Sequence, residues 1–99
     1  MNMQSIMAQA QKMQREIQKK QDEINKTVYE GKSQAVNIVV NGKKEILDII
    51  IDKTIIQDAD DIEALQDMIK IAINDAFKKI DKDIESKLGV YAKGLNGLM

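Results

Sequence analysis

The sequence predicts an α+β chain: a long N-terminal helix, a three-stranded antiparallel sheet and a long C-terminal helix. Three observations carry that prediction. Apolar residues recur at helical spacing over residues 3–26 and again over 61–88. Between these stretches the pattern shifts to short β-branched runs around an Asn-Gly pair. No proline occurs, so nothing forces a break inside either helical stretch.

In the first helix the apolar positions are Met3, Ile6, Met7, Ala10, Met13, Ile17 and Ile24. Met3, Ala10, Ile17 and Ile24 lie seven apart, as do Ile6 and Met13, and Lys20 interrupts the next position of that second row. Such a narrow stripe suits a coiled-coil seam better than a broad core face. The opposite face carries Gln, Lys and Glu.

The middle segment, about 27–52, reads as a meander. Thr27-Val28-Tyr29-Glu30 forms a first strand ended by Gly31, and Ala35–Val40 a second. Asn41-Gly42 reads as a type I′ turn, whose central residues need positive φ. Glu45–Ile51 follows as the third strand, with Leu47, Ile49 and Ile51 on one face and Asp48 on the other. In the second helix Ile62, Leu65, Ile69, Ala72, Ala76, Ile80, Ile84 and Leu88 are spaced by three or four, and Met68, Ile73 and Phe77 widen the stripe, so this helix should cover the sheet. Asp60 is the expected N-cap, with Glu63 three residues on. Gly89 is the expected stop, leaving 89–99 as a mobile tail on a single domain of 99 residues.

A count of surfaces predicts a homodimer. One helix on a three-stranded sheet leaves the other sheet face and the first helix's seam uncovered. Val36, Ile38 and Val40 lie on one face of the second strand and Val39 on the other. A second copy related by a two-fold axis is the commonest way to bury such surfaces.

Composition excludes several functions. The chain has no Cys and no His, hence no disulfide, no thiolate metal site and no imidazole base or ligand. Ser5, Ser33 and Ser86 have no partner base, and no glycine-rich phosphate loop exists. The sequence therefore predicts neither enzyme nor cofactor nor small-molecule substrate. Met1–Ser5 lacks the basic and apolar segments of a secretory signal, and no apolar run approaches the ~18 residues of a membrane span. A cytoplasmic location is expected. The net charge of −1 is unevenly spread: +2 over residues 1–27, zero over 28–56 and −3 over 57–99. Any nucleic-acid contact must come from a local patch rather than from bulk charge.

The order of elements and several segments resemble the YbaB/EbfC family over nearly the whole chain. Ala8-Gln9-Ala10-Gln11-Lys12-Met13-Gln14 resembles that family's Gln- and Met-rich first helix. Val40-Asn41-Gly42-Lys43-Lys44-Glu45-Ile46, followed by Ile51-Asp52, resembles its hairpin. Leu65 with Ala72-Ile73-Asn74-Asp75-Ala76 resembles its second long helix, and Gly94-Leu95-Asn96-Gly97-Leu98 its glycine-rich tail. Lys53 and Asn96 depart from the pattern, standing where relatives often carry proline. The resemblance implies a tweezer-shaped homodimer, nucleoid association and DNA binding.

Lys12, Arg15, Lys19 and Lys26 are the candidate DNA-binding residues. Steps of three, four and seven set them on one face of the first helix, opposite the seam. Two such stripes in a dimer suit phosphate contacts on double-stranded DNA, with Asp22 as an interruption. No aromatic residue lies on this face to stack on bases, which argues against single strands. Lys78, Lys79, Lys82 and Lys87 are better explained by intrahelical pairs with Asp75 and Asp83. The acidic cluster Asp58, Asp60, Asp61 and Glu63 lacks the spacing of a calcium loop and fits a helix N-terminus. The competing reading is an adaptor whose first helix pairs with a partner's coiled coil.

Overall fold

Asn2 starts the first helix: its side chain accepts the backbone N–H of Gln4 at 3.0 Å. Helix α1 then runs Met3–Lys26, with the bounds the heptads predict, and ends where the Thr27 hydroxyl and N–H bond the Glu23 carbonyl. The computed structural model describes residues 2–97, with side chains through Tyr91. After α1 come β1 (Val28–Ser33), β2 (Val36–Asn41), β3 (Ile46–Ile51), a short 3-10 turn (Lys53–Ile55) and α2 (Asp60–Gly97). The three strands form one antiparallel sheet in the order β1-β2-β3, which establishes the predicted α+β class.

The core is one face of β2 against one stripe of α2. Val36, Ile38 and Val40 are buried against Ala72, Ala76 and Ile80. The small Ala72 and Ala76 let α2 sit close over β1 and β2. Gly31 sits where helix and strand are closest. A Cβ there would lie 1.9 Å from the Ala72 carbonyl oxygen and 2.6 Å from the Ala76 nitrogen. The expectation that Gly31 ends β1 is therefore corrected: the strand continues to Ser33, and the glycine is there for helix packing rather than for a turn.

Side chains of α2 also bond the backbone of β1. The Lys32 N–H donates to Asp75 Oδ2 at 3.1 Å, and Lys79 Nζ donates to the Glu30 carbonyl at 2.7 Å. The Lys32 N–H, with Lys79 beside it, holds the Asp75 carboxyl below its ordinary range. This edge of the sheet is covered, while β3 at the other edge is open. Ile46, Leu47, Ile49 and Ile50 are all exposed. Pairing passes from Val39↔Asp48 to Val40↔Ile46, so Leu47 has no opposite residue. Ile49 and Ile51 share one face as predicted, opposite Ile38 and Val36, and this bulge removes Leu47 from their row.

Two further expectations are corrected. The Asn41-Gly42 turn is not type I′: Gly42 does not have positive φ, and the residue that does is Lys44, at 64°. The Asn41 carboxamide accepts the N–H groups of Lys43 and Glu45, and the Asn41 carbonyl accepts that of Lys44, closing a three-residue loop. Gly42 is needed for another reason, because a Cβ on it would lie 1.9 Å from the carbonyl oxygen of Ile24. The hairpin tip is thus seated on the last turn of α1, where Ile24 is fully buried.

Nor does α2 begin or end as expected. Its cap is Asp58, whose Oδ1 accepts the Asp60 N–H at 2.9 Å, while Asp61 returns Oδ2 to the Asp58 and Gln57 N–H groups. This reciprocal box lies two residues before the expected Asp60–Glu63 pair. Those N–H groups hold the Asp61 carboxyl below its ordinary range. At the other end the helix passes through Gly89 to Gly97. An interior glycine costs only about 1 kcal/mol, and Tyr91, two residues on, is tied to α1. The expected tail at 89–99 is therefore helical through Gly97, and Leu98 and Met99 lie outside the described residues.

The Tyr29 hydroxyl donates to Asp83 across the β1–α2 junction. Burial, and then the Asp83 carboxylate, push the Tyr29 phenol up to about 12, while the Tyr29 bond and Lys87 hold Asp83 below the usual carboxylate range. Tyr29→Phe should cost about 1 kcal/mol at neutral pH, read by urea denaturation. A raised phenol pKa stabilises the fold below the unfolded value near 10, and that contribution is lost as pH rises through 12. The gap between parent and Tyr29→Phe should therefore narrow over that alkaline window. Asp83 acts in the opposite sense: its contribution is present above the ordinary aspartate pKa and is lost in acid.

Candidate nucleic-acid interface

Among the described residues, the half of α1 from Ile17 onward holds its buried and half-buried side chains. Ile24 is buried and Ile17 half-buried, whereas Met3 is 76% exposed and Met7 57%. Helix α2 runs back beside α1, and near its end Tyr91 meets the middle of α1. The Tyr91 hydroxyl bonds Glu16 Oε2 at 3.2 Å, and Lys20 Nζ lies 5.6 Å from the ring centroid. This contact explains the interrupted heptad, since the position where Lys20 replaces an apolar residue faces an aromatic ring. N-terminal to it α1 stands clear of the sheet, contributing to a molecule 71 × 23 × 14 Å in extent.

On that helix Lys12, Arg15, Lys19 and Lys26 are all exposed. None takes part in an ion pair among the described residues. At about 100° per residue they fall within an arc of roughly 60°, opposite the seam. The structure brings all four predicted residues onto one open face. The flanks of that face differ. Glu16 and Glu23 lie on one side, and Gln11, Gln14 and Gln18 on the other. Asp22 sits at the amide edge of the stripe, where its carboxylate accepts Gln18 Nε2 at 2.9 Å.

Of the other basic side chains, Lys32, Lys44, Lys79 and Lys87 form ion pairs. Lys43, Lys53, Lys70, Lys78 and Lys82 are exposed and in no ion pair among the described residues, so the intrahelical pairs expected for Lys78 and Lys82 do not form. Lys79 pairs with Asp75 at 3.4 Å and Lys87 with Asp83 at 3.3 Å. Of the intrahelical pairs expected with Asp83, that from Lys79 does not form: Lys79 is engaged by Asp75 and donates to the Glu30 carbonyl. Sequence reasoning missed Lys44, which pairs with Asp81 at 3.3 Å and lies 5.5 Å from the Phe77 ring centroid. No periodic signal could have placed it, because its position depends on the left-handed turn. The acidic cluster serves the α2 cap, and no group of His, Cys, Asp or Glu suited to a metal ion occurs among the described residues.

What this geometry can do is bind anions along a line. Exposed, unpaired Lys and Arg heads act as mobile point charges on phosphate oxygens. No helix among the described residues is long and apolar enough to cross a membrane.

The chain is 44% identical over 100 residues to a nucleoid-associated protein of Ligilactobacillus salivarius, covering 99% of this chain and 95% of that one. It is 40% identical over 98 residues to a nucleoid-associated protein of Enterococcus faecalis, covering 97% and 93%. In structure it resembles an uncharacterized protein from Helicobacter pylori, with a TM-score of 0.68 at 23% identity and coverage of 100% and 99%, which supports the fold. The model of the YbaB/EbfC DNA-binding family matches residues 1–95, and the chain belongs to that family.

Proposed function

We propose that this protein is a cytoplasmic, nucleoid-associated homodimer that binds double-stranded DNA with little sequence preference, organising the chromosome or modulating transcription. The observation that carries the reading is the line of Lys12, Arg15, Lys19 and Lys26, exposed along one face of α1 and in no ion pair among the described residues. Lysine footprinting tests it. Bound duplex DNA should protect Lys12, Lys19 and Lys26 from acylation and leave Lys79 and Lys87 at their free rates. Uniform protection, or protection of the α2 lysines alone, would move the interface elsewhere.

The open edge supports the dimer. The exposed side chains Ile46, Leu47, Ile49 and Ile50 form an apolar surface that a second copy would cover. Light scattering at micromolar concentration should give about twice the chain mass of 11.2 kDa. Ile49→Asp should shift that value toward one chain while leaving the helical circular dichroism in place, because Ile49 is outside the core formed with α2. A parent at one chain mass would remove the dimer from the proposal.

A further inference from the structure

The residues preceding the basic stripe form a second row. Each basic side chain follows an amide: Gln11-Lys12, Gln14-Arg15, Gln18-Lys19 and Asn25-Lys26. One residue is about 100° of helix turn, so the amides lie together along one flank of the stripe. Glu16 and Glu23 occupy the other flank. Asp22, bonded to Gln18, stands on the amide flank at its C-terminal end. Beside Gln11 and Gln14 that flank carries no carboxylate, so a duplex held by Lys12 and Arg15 is repelled by Glu16 on the other side and should roll toward these two amides. Within the row, Gln18 bonds Asp22 at 2.9 Å and Asn25 bonds Gln21 at 2.9 Å. The exposed side chains of Gln11 and Gln14 have no hydrogen-bond partner among the described residues. Both lie N-terminal to the Tyr91 contact, on the stretch of α1 where every described side chain is exposed.

Resting on the DNA-binding reading above, we propose that Gln11 and Gln14 reach base edges in the major groove and bond the N6 and N7 atoms of adenine. The groove admits one α-helix, and a carboxamide supplies the matching acceptor and donor. Lys12 and Arg15, the adjoining residues, hold the flanking phosphates. The contact adds a mild preference for A·T-containing duplexes to binding that is otherwise independent of sequence.

The test compares the full chain with Gln11→Ala/Gln14→Ala on mixed A·T, G·C and 7-deaza-adenine duplexes of equal length. Alanine is a good helix former, so α1 is preserved. The parent should bind the A·T duplex about three- to tenfold more tightly than the G·C duplex, a fraction of what well-ordered bidentate contacts achieve. The double variant and the 7-deaza duplex should each bring that ratio close to one, with G·C affinity and salt dependence unchanged. Equal binding of all duplexes by the parent overturns the inference and leaves phosphate binding intact. A ratio that persists in the double variant also overturns it, since groove shape would then be the source. No binding of any duplex overturns both this inference and the reading on which it rests.

Discussion

Gly31→Ala will destabilise the fold by about 3 kcal/mol or more, the upper end of what overpacking costs. The added methyl would lie 1.9 Å from the Ala72 carbonyl oxygen, 2.6 Å from the Ala76 nitrogen and 2.8 Å from the Ala76 Cβ. Two of these neighbours are helix backbone, so no rotamer change relieves the clash. Either α2 lifts from β1 or the strand shifts, and both break the Asp75 and Lys79 bonds to β1 and open the Val36–Ile38–Val40 layer. A domain of this size has a total stability of roughly 5–15 kcal/mol, so the change removes a large share of it. The same substitution at Gly89 should have the opposite sign. There a Cβ meets only Glu85 Cγ, at an ordinary 3.6 Å, inside a helix. Gly89→Ala should stabilise by about 0.5–1 kcal/mol. Urea denaturation of the two variants beside the parent checks both. A neutral Gly31→Ala would show that the helix does not approach the strand this closely.

Replacing Lys12, Arg15 and Lys19 together with Gln will weaken duplex DNA binding by about ten- to a hundredfold at low salt, while melting temperature and mass stay close to the parent's. The three side chains are exposed and in no ion pair among the described residues, so the fold draws little from them. For every phosphate that the variant no longer neutralises, the salt slope should fall by roughly 0.9. Lys26 remains in this variant, so residual salt-dependent binding is expected. Binding as tight as the parent's would make the stripe a solvated helix face.

How much of this was legible in the sequence depended on whether the signal was periodic. The heptads of α1 gave both its bounds and the common face of the four basic residues, because a helix is regular and its caps, Asn2 and Thr27, are local. The three strands were legible for the same reason. Glycines and turns were not. Gly31 and Gly42 resemble turn formers, yet each serves a close approach to a helix distant in sequence, Ala72 and Ile24 respectively. Gly89 resembles a stop, yet the helix continues past it toward a contact with α1 more than seventy residues away in sequence. The Asp58–Asp61 cap was hidden because four acidic residues in six positions offer several caps, and only the backbone geometry selects one. The asymmetry of the stripe's two flanks could be counted in the sequence, but its relevance required knowing that the side chains of the first turns of α1 are exposed.

The salt dependence of binding to a mixed-sequence duplex tests the central claim most directly. If the α1 stripe binds phosphates, the association constant should fall linearly with salt on logarithmic axes. Between 50 and 200 mM the loss should be about tenfold or more for a handful of phosphate contacts, and the triple Gln variant should show a shallower slope. Binding that is absent at the lowest salt, or that does not change across the series, would contradict the account.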